Sequence, residues 1–145
     1  MNKDLTATQN DYAVFLPALS GFFATYVGKQ RFDEYVEKSR IPSNFTNGVE
    51  SLNYLNPKQG LFNYHFTLYS AGHAELDTNK HSPKEDMVRN RDRKTSWILG
   101  DSGGFQIGKG VWEGNWKDPN CPKAQKKREQ VLTWMDAYMD YGMIL

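Results

Sequence analysis

Apolar residues fall in a few short runs separated by polar, glycine- and proline-bearing stretches. The run AVFLPAL at residues 13–19 predicts a buried strand or its end, with Pro17 closing the ladder because it has no N–H to donate. Ser20-Gly21 then turns the chain into a helix over residues 22–27. Phe32, Tyr35 and Val36 stand at i, i+3 and i+4 and predict a second, short amphipathic helix over 31–39. Residues 41–56 are rich in Pro, Asn, Ser and Gly and read as loop. Residues 62–70 alternate aromatic and polar side chains among many β-formers, a strand pattern. Ser82-Pro83 followed by Lys-Glu-Asp is a helix start, with a capping serine, proline at the first position and acids in the first turn. That helix runs to about residue 93.

Residues 96–100 form another apolar β-like run, and it feeds directly into GDSGGF at 100–105. The Gly/Trp/Asn segment up to Pro122 is irregular. Residues 123–141 give the strongest helix signal, because Val131, Trp134, Met135, Tyr138 and Met139 share one stripe. Gly142 is placed to end it. Met143 then opens a further apolar run. Strands alternating with helices predict an α/β fold with a parallel sheet and helical crossovers. About four strands are visible. Because a parallel sheet needs both faces and both edges managed, residues 1–145 are expected to form a single partial domain, the front part of a longer α/β unit.

Composition narrows the chemistry. The 145 residues carry 18 Lys and Arg against 17 Asp and Glu, a formal charge of +1, so no global field favours a nucleic-acid partner. One cysteine, Cys121, excludes a disulfide framework. With only His65, His73 and His81 beside it, a four-ligand Cys/His metal site is not expected. The N-terminus lacks the apolar core of a signal peptide, and no run is long enough to span a membrane. A reducing, cytoplasmic setting with no membrane partner is the expectation.

GDSGGF admits three readings. The string surrounds the nucleophile of trypsin-like proteases, and His73 loosely fits such a setting. Yet that fold needs two complete β-barrels, and His73 and Ser102 stand too close in sequence for the third triad member to fit between them. The stretch GGFQIGKG at 103–110 matches GxxxxGK, but Gly110 replaces the Ser or Thr whose hydroxyl would bind Mg²⁺. No helix pattern follows Lys109 to present its N-terminus to phosphate. The third reading follows from position. Asp101 lies just past an apolar strand, where active-site groups stand in parallel α/β folds. Gly103 and Gly104 allow close backbone approach to a flat ligand, Phe105 offers an aromatic face and Gln106 an amide. Acid, aromatic plate and amide within six residues suit a nucleobase. A tight glycine turn capped by Asp101 explains the same residues without a ligand.

The motif LGDSGGFQ resembles the DSGG[FY]Q motif of the tRNA-guanine transglycosylase family, which includes phage and bacterial enzymes that place 7-deazaguanines in DNA. AVFLPALSG at 13–21 looks like the family's first barrel strand and turn, and NYHFTL at 63–68 is similar, more weakly, to its second strand. Residues 136–145 resemble the helix-to-strand passage that precedes a further substrate-binding acid. The resemblance implies the N-terminal portion of a (β/α)₈ barrel, incomplete in this chain. It implies exchange of guanine for a 7-deazaguanine such as preQ0 in DNA or tRNA, by double displacement at the sugar C1′. Asp101 would bind the base and shuttle its proton, and Phe105 would stack on it. Ser102, Gly103, Gly104 and Gln106 would line the pocket. The insertions and LYSAGH at 68–73 look closer to the DNA-modifying branch. The family's nucleophilic aspartate and its zinc site would lie beyond Leu145. The expectation is therefore an enzyme incomplete as this chain alone, with no cofactor in it, and a second chain as the partner that carries the rest of the barrel. A non-catalytic subunit of a nucleic-acid-binding barrel is the alternative.

Other features have plainer readings. The basic runs at 89–94 and 123–128 suit phosphate contacts, but with a near-neutral chain they read first as solvated helix surface. Trp112 and Trp116 suit base stacking or the anchoring of an irregular loop. His65 and His73 read as structural histidines.

Overall fold

The computed structural model describes the backbone of residues 13–33 and 36–143, and the side chains of all of these but 30–33. Its centre is a small parallel sheet. Strand β1, Phe66–Ser70, pairs with β2, Trp97–Asp101, and β2 pairs with β3, Tyr141–Gly142. The N-terminal run adds to the free side of β1 through one parallel bridge, Ala18 to Leu68. The four extended segments thus lie side by side in chain order, all parallel. This is a mixed α/β architecture.

Pro17 limits its ladder from the N-terminal side, not the C-terminal one. Its carbonyl accepts the Leu68 N–H at 2.9 Å, and two residues later the Leu19 N–H reaches the Leu68 carbonyl at 2.8 Å. Helix α1, Gly21–Asp33, follows at once. It is a single helix across the predicted break at residue 28. The second predicted helix, over 31–39, is not a separate α-helix in its described part, where Lys38–Arg40 forms one 3₁₀ turn. Residues 34–35 lie outside the described residues. The expected loop over 41–56 holds a 3₁₀ turn, Gly48–Leu52. The predicted helix from Ser82 is shorter than expected: a 3₁₀ turn, Pro83–Glu85, leads into α2, Asp86–Arg89. Helix α3, Gly104–Gly108, leaves the end of β2, and α4, Pro122–Tyr138, returns along the sheet.

The core lies between the helices and one face of the sheet. In a strand alternate side chains take opposite faces, and here Thr67, Tyr69, Ile98 and Gly100 face the helices and are buried. The α4 stripe supplies Val131, Trp134, Met135 and Met139, all buried as its period predicts. Trp134 packs its ring on Tyr69 at 6.0 Å between centroids. Gly100 is small because α4 sits on it: a Cβ there would stand 2.7 Å from Met139 Cγ.

Helix α4 ends at Tyr138, before Gly142, because Asp140 pulls the chain onto the sheet. Its carboxylate accepts from Arg91 Nη2 at 2.7 Å and from the Ile98 N–H at 2.9 Å, and its own N–H donates to the Ile98 carbonyl. Gly142 therefore belongs to β3, and the Met143 N–H continues the pairing onto Gly100. The predicted strand starts two residues earlier than the pattern suggests; residues 144–145 lie outside the described residues. No helix among the described residues is long and apolar enough to cross a membrane.

Candidate functional site

The C-terminal ends of the parallel strands gather three chain segments: Ser20-Gly21 after the first, Ser70 to His73 after β1, and Asp101 onward after β2. Asp101 is the last residue of β2, opposite Ser70 in register. Its backbone carbonyl accepts the Ala71 N–H at 2.8 Å. Its side-chain Oδ2 accepts the Ser70 hydroxyl at 2.7 Å. Ser70 in turn accepts the Gly72 N–H at 3.2 Å. The carboxylate is thereby held between two strand ends, half-buried.

The chain then turns sharply. Ser102 is buried, and Gly103 takes φ +80°, a left-handed conformation costly for any residue with a Cβ. A Cβ on Gly103 would also stand 2.5 Å from Trp112 Cη2. The expected glycine-rich loop is therefore short. Gly104 already begins α3, because the Gly103 carbonyl collects the N–H groups of Gln106 and Ile107. GDSGGF is a strand end, a two-residue turn and a helix start. This also disposes of the phosphate-loop match, because α3 stops at Gly108 and Val111 to Asn120 is irregular.

Phe105 is 70% exposed, with Lys109 Nζ 5.7 Å from its ring centroid. Gln106 is half-buried instead. Its carboxamide lies directly on Gly72, where any Cβ would overlap it, and its Oε1 is buried without a hydrogen-bond partner among the described residues. Of the six predicted site residues, then, Asp101 presents a half-buried side chain at this edge and Phe105 an exposed ring at the start of α3. Ser102, Gly103 and Gly104 contribute backbone, and Gln106 buttresses the β1 end.

The histidines and basic runs sort differently. The His73 ring packs against Gly21 at the start of α1. Arg89 and Arg91 are neither phosphate hooks nor solvated surface. Arg89 pairs with the fully buried Glu85 at 3.0 Å, and Arg91 with Asp140 at 2.7 Å. Burial pushes the Glu85 carboxyl up from its ordinary value, with Arg89 opposing. Burial likewise pulls the Arg91 guanidinium down, with Asp140 opposing. Arg93 extends the Asp140 cluster at 3.4 Å. In the second run, Lys127 lies 5.4 Å over Trp112 and Arg128 5.2 Å over Trp116. The two tryptophans are thus the anchors of the irregular segment on α4, as the plainer reading has it. Cation and ring desolvate together there.

Cys121 stands at the N-terminus of α4, where its sulfur accepts the Asn115 N–H at 3.3 Å. Among the described residues no three His, Cys, Asp or Glu side chains converge as metal ligands.

Ser70 is the contact that motif reading missed. Nothing local marks a serine at a strand end; only the register of two strands separated by a long crossover brings it to Asp101. An aromatic cleft of about 450 Å³ lies beside the first strand, lined by Phe15, Phe23, Tyr54, Phe62 and Tyr64 among others, and it reaches Ser20 at the end of that strand. Compared with protein-family models, curated proteins and solved structures, the chain finds no match.

Proposed function

We propose that this chain supplies the base-recognition edge of a guanine/7-deazaguanine exchange reaction on nucleic acid, from the N-terminal portion of a (β/α)₈ barrel. One observation carries the reading: Asp101 is anchored at the C-terminal end of an inner parallel strand, with an exposed aromatic ring four residues on. Parallel strands in chain order, with helices on one face, are what a barrel opened along its side would present.

In this reading the Asp101 carboxylate accepts N–H groups on the edge of a purine-like base while Phe105 stacks on its plane. The turn at Ser102-Gly103 keeps bulk away from the ring. Asp101 also takes and returns the proton that distinguishes the leaving from the entering base. In duplex DNA the target nucleotide must first leave the stack. No described residue is assigned as the nucleophile at C1′ in this reading, so base binding is the activity to be tested. The partners are DNA or tRNA, a 7-deazaguanine such as preQ0, and a second chain completing the barrel.

The half-buried second face of the sheet favours a second reading, a non-catalytic subunit that completes a nucleic-acid-binding barrel with a partner. Calorimetric titration of the chain with guanine, 7-deazaguanine and adenine tests the first reading. Guanine and 7-deazaguanine should bind and adenine should not, and Asp101→Asn and Phe105→Ala should each weaken binding about tenfold or more. Equal affinity for adenine, or unchanged binding by both variants, overturns it.

A further inference from the structure

We infer that Ser70 is the positioning residue of this site: it fixes the Asp101 carboxylate through one oxygen and leaves the other as the acceptor for the base. The inference deepens the proposed function and rests on it.

The geometry runs through three groups. The Gly72 N–H donates to Ser70 Oγ at 3.2 Å. A serine hydroxyl has a single hydrogen, and with the amide occupying a lone pair, that hydrogen is directed at Asp101 Oδ2, 2.7 Å away. The short distance is that of a hydroxyl bonded to a carboxylate, a charge-assisted bond. Among the described residues Asp101 Oδ1 takes no hydrogen bond. One oxygen is anchored and the other is open.

The anchor is also rigid. Ser70 and Asp101 are register partners on adjacent parallel strands. Each projects from the same face, and the Ala71 N–H to Asp101 carbonyl bond ties the two backbones just past the pair. Neither side chain has a flexible stem. A carboxylate held in this way has its plane set before a ligand arrives, which lowers the ordering cost of binding. Gly72 belongs to the same device. It donates the bond that orients the hydroxyl, and its missing Cβ leaves the space that the Gln106 carboxamide fills. Ser70 touches no base in this scheme and acts through Asp101 alone.

The experiment compares the full chain with Ser70→Ala and Ser70→Thr, all checked for native far-UV circular dichroism. Two signals are read: the affinity for 7-deazaguanine by calorimetry, and the ¹³C resonance of the Asp101 carboxyl carbon, assigned with Asp101→Asn. Removing the hydroxyl should weaken base binding roughly tenfold and move the Asp101 carboxyl resonance. Threonine keeps a hydroxyl on a strand-compatible side chain and should restore both. A lesion that only loosened the fold would not be rescued selectively in this way. Wild-type affinity in Ser70→Ala, or a carboxyl resonance that ignores the substitution, overturns the role of Ser70. If the unaltered chain binds no base while the resonance still responds, the anchoring stands and the base-binding reading beneath it falls.

Discussion

On one face of the sheet Thr67, Tyr69, Ile98 and Gly100 lie sealed beneath α1, α2 and α4; on the other, Phe66, Leu68, Ser70, Leu99 and Asp101 are only half-buried and Tyr141 is 49% exposed. The covered face is packed as a protein interior. Trp134 and Ile98 are fully buried, and the fully buried Glu85 carboxylate is paired there with Arg89. The open face carries the same kinds of apolar residue at the same spacing, together with the Ser70–Asp101 pair. Parallel sheets usually have both faces covered. The difference separates two roles: the helix-covered face supplies stability, and the open face carries the Ser70–Asp101 pair on which the proposed function rests.

Matched truncations break or sharpen that contrast. Trp134→Ala on the covered side should cost about 3–5 kcal/mol, the range for emptying a buried aromatic site. Leu99→Ala on the open side should cost only about 1 kcal/mol, because part of its side chain is already in water. Urea unfolding of both variants measures the gap. Equal losses would mean that the open face is packed against something in solution, and the comparison drawn from the isolated chain would fail.

The local rules of the sequence reach some of this and not the rest. Helix α4 is legible because its apolar stripe keeps a 3.6-residue period over two turns. Strand β2 is legible because a β-forming run ends in an acid and glycines. The extent of α1 is not: the predicted helix ends at residue 27, whereas the chain stays helical through Gly28. Its missing Cβ admits the Pro83 carbonyl, which any side chain there would strike. The end of α4 is misread for a related reason. Gly142 is a good local stop, but Asp140, paired with Arg91 across 49 residues, ends the helix first. The candidate site divides in the same way. Asp101 and Phe105 follow from a contiguous motif, whereas Ser70 and the seating of Gln106 on Gly72 depend on register between distant strands. Periodicity sees what one element does alone, and tertiary contacts decide where it stops and what it meets.

The turn at the edge between the two faces should be the next most sensitive point. Gly103→Ala places a Cβ at φ +80° and against Trp112. The backbone term alone is about 1–2 kcal/mol, and Trp112 must also shift off the turn. Tryptophan fluorescence with urea unfolding reads both effects. The expected pattern is a modest loss of stability with a clear change around Trp112. A silent substitution would show that the left-handed turn does not set the position of Asp101 and Phe105.

The smallest effect lies in the covered face and appears as a slope. Burial raises the Glu85 carboxyl above its ordinary value near 4.5, and Arg89 only partly opposes this. The folded state then holds a proton that the unfolded state has already released, so stability is lost as pH climbs from about 4.5 toward the raised folded value. Below that window both states are protonated and Glu85 contributes no slope. Glu85→Gln removes the titration while keeping the side-chain shape. Its stability should therefore gain on the wild type's as pH rises through the window, by less than about 1.4 kcal/mol per pH unit, the limit for one proton. Urea unfolding of both proteins from pH 4 to pH 7 gives the difference directly. If the wild type instead gained on the variant with rising pH, Arg89 would outweigh burial. The covered face would then be held by its ion pair as well as by its packing.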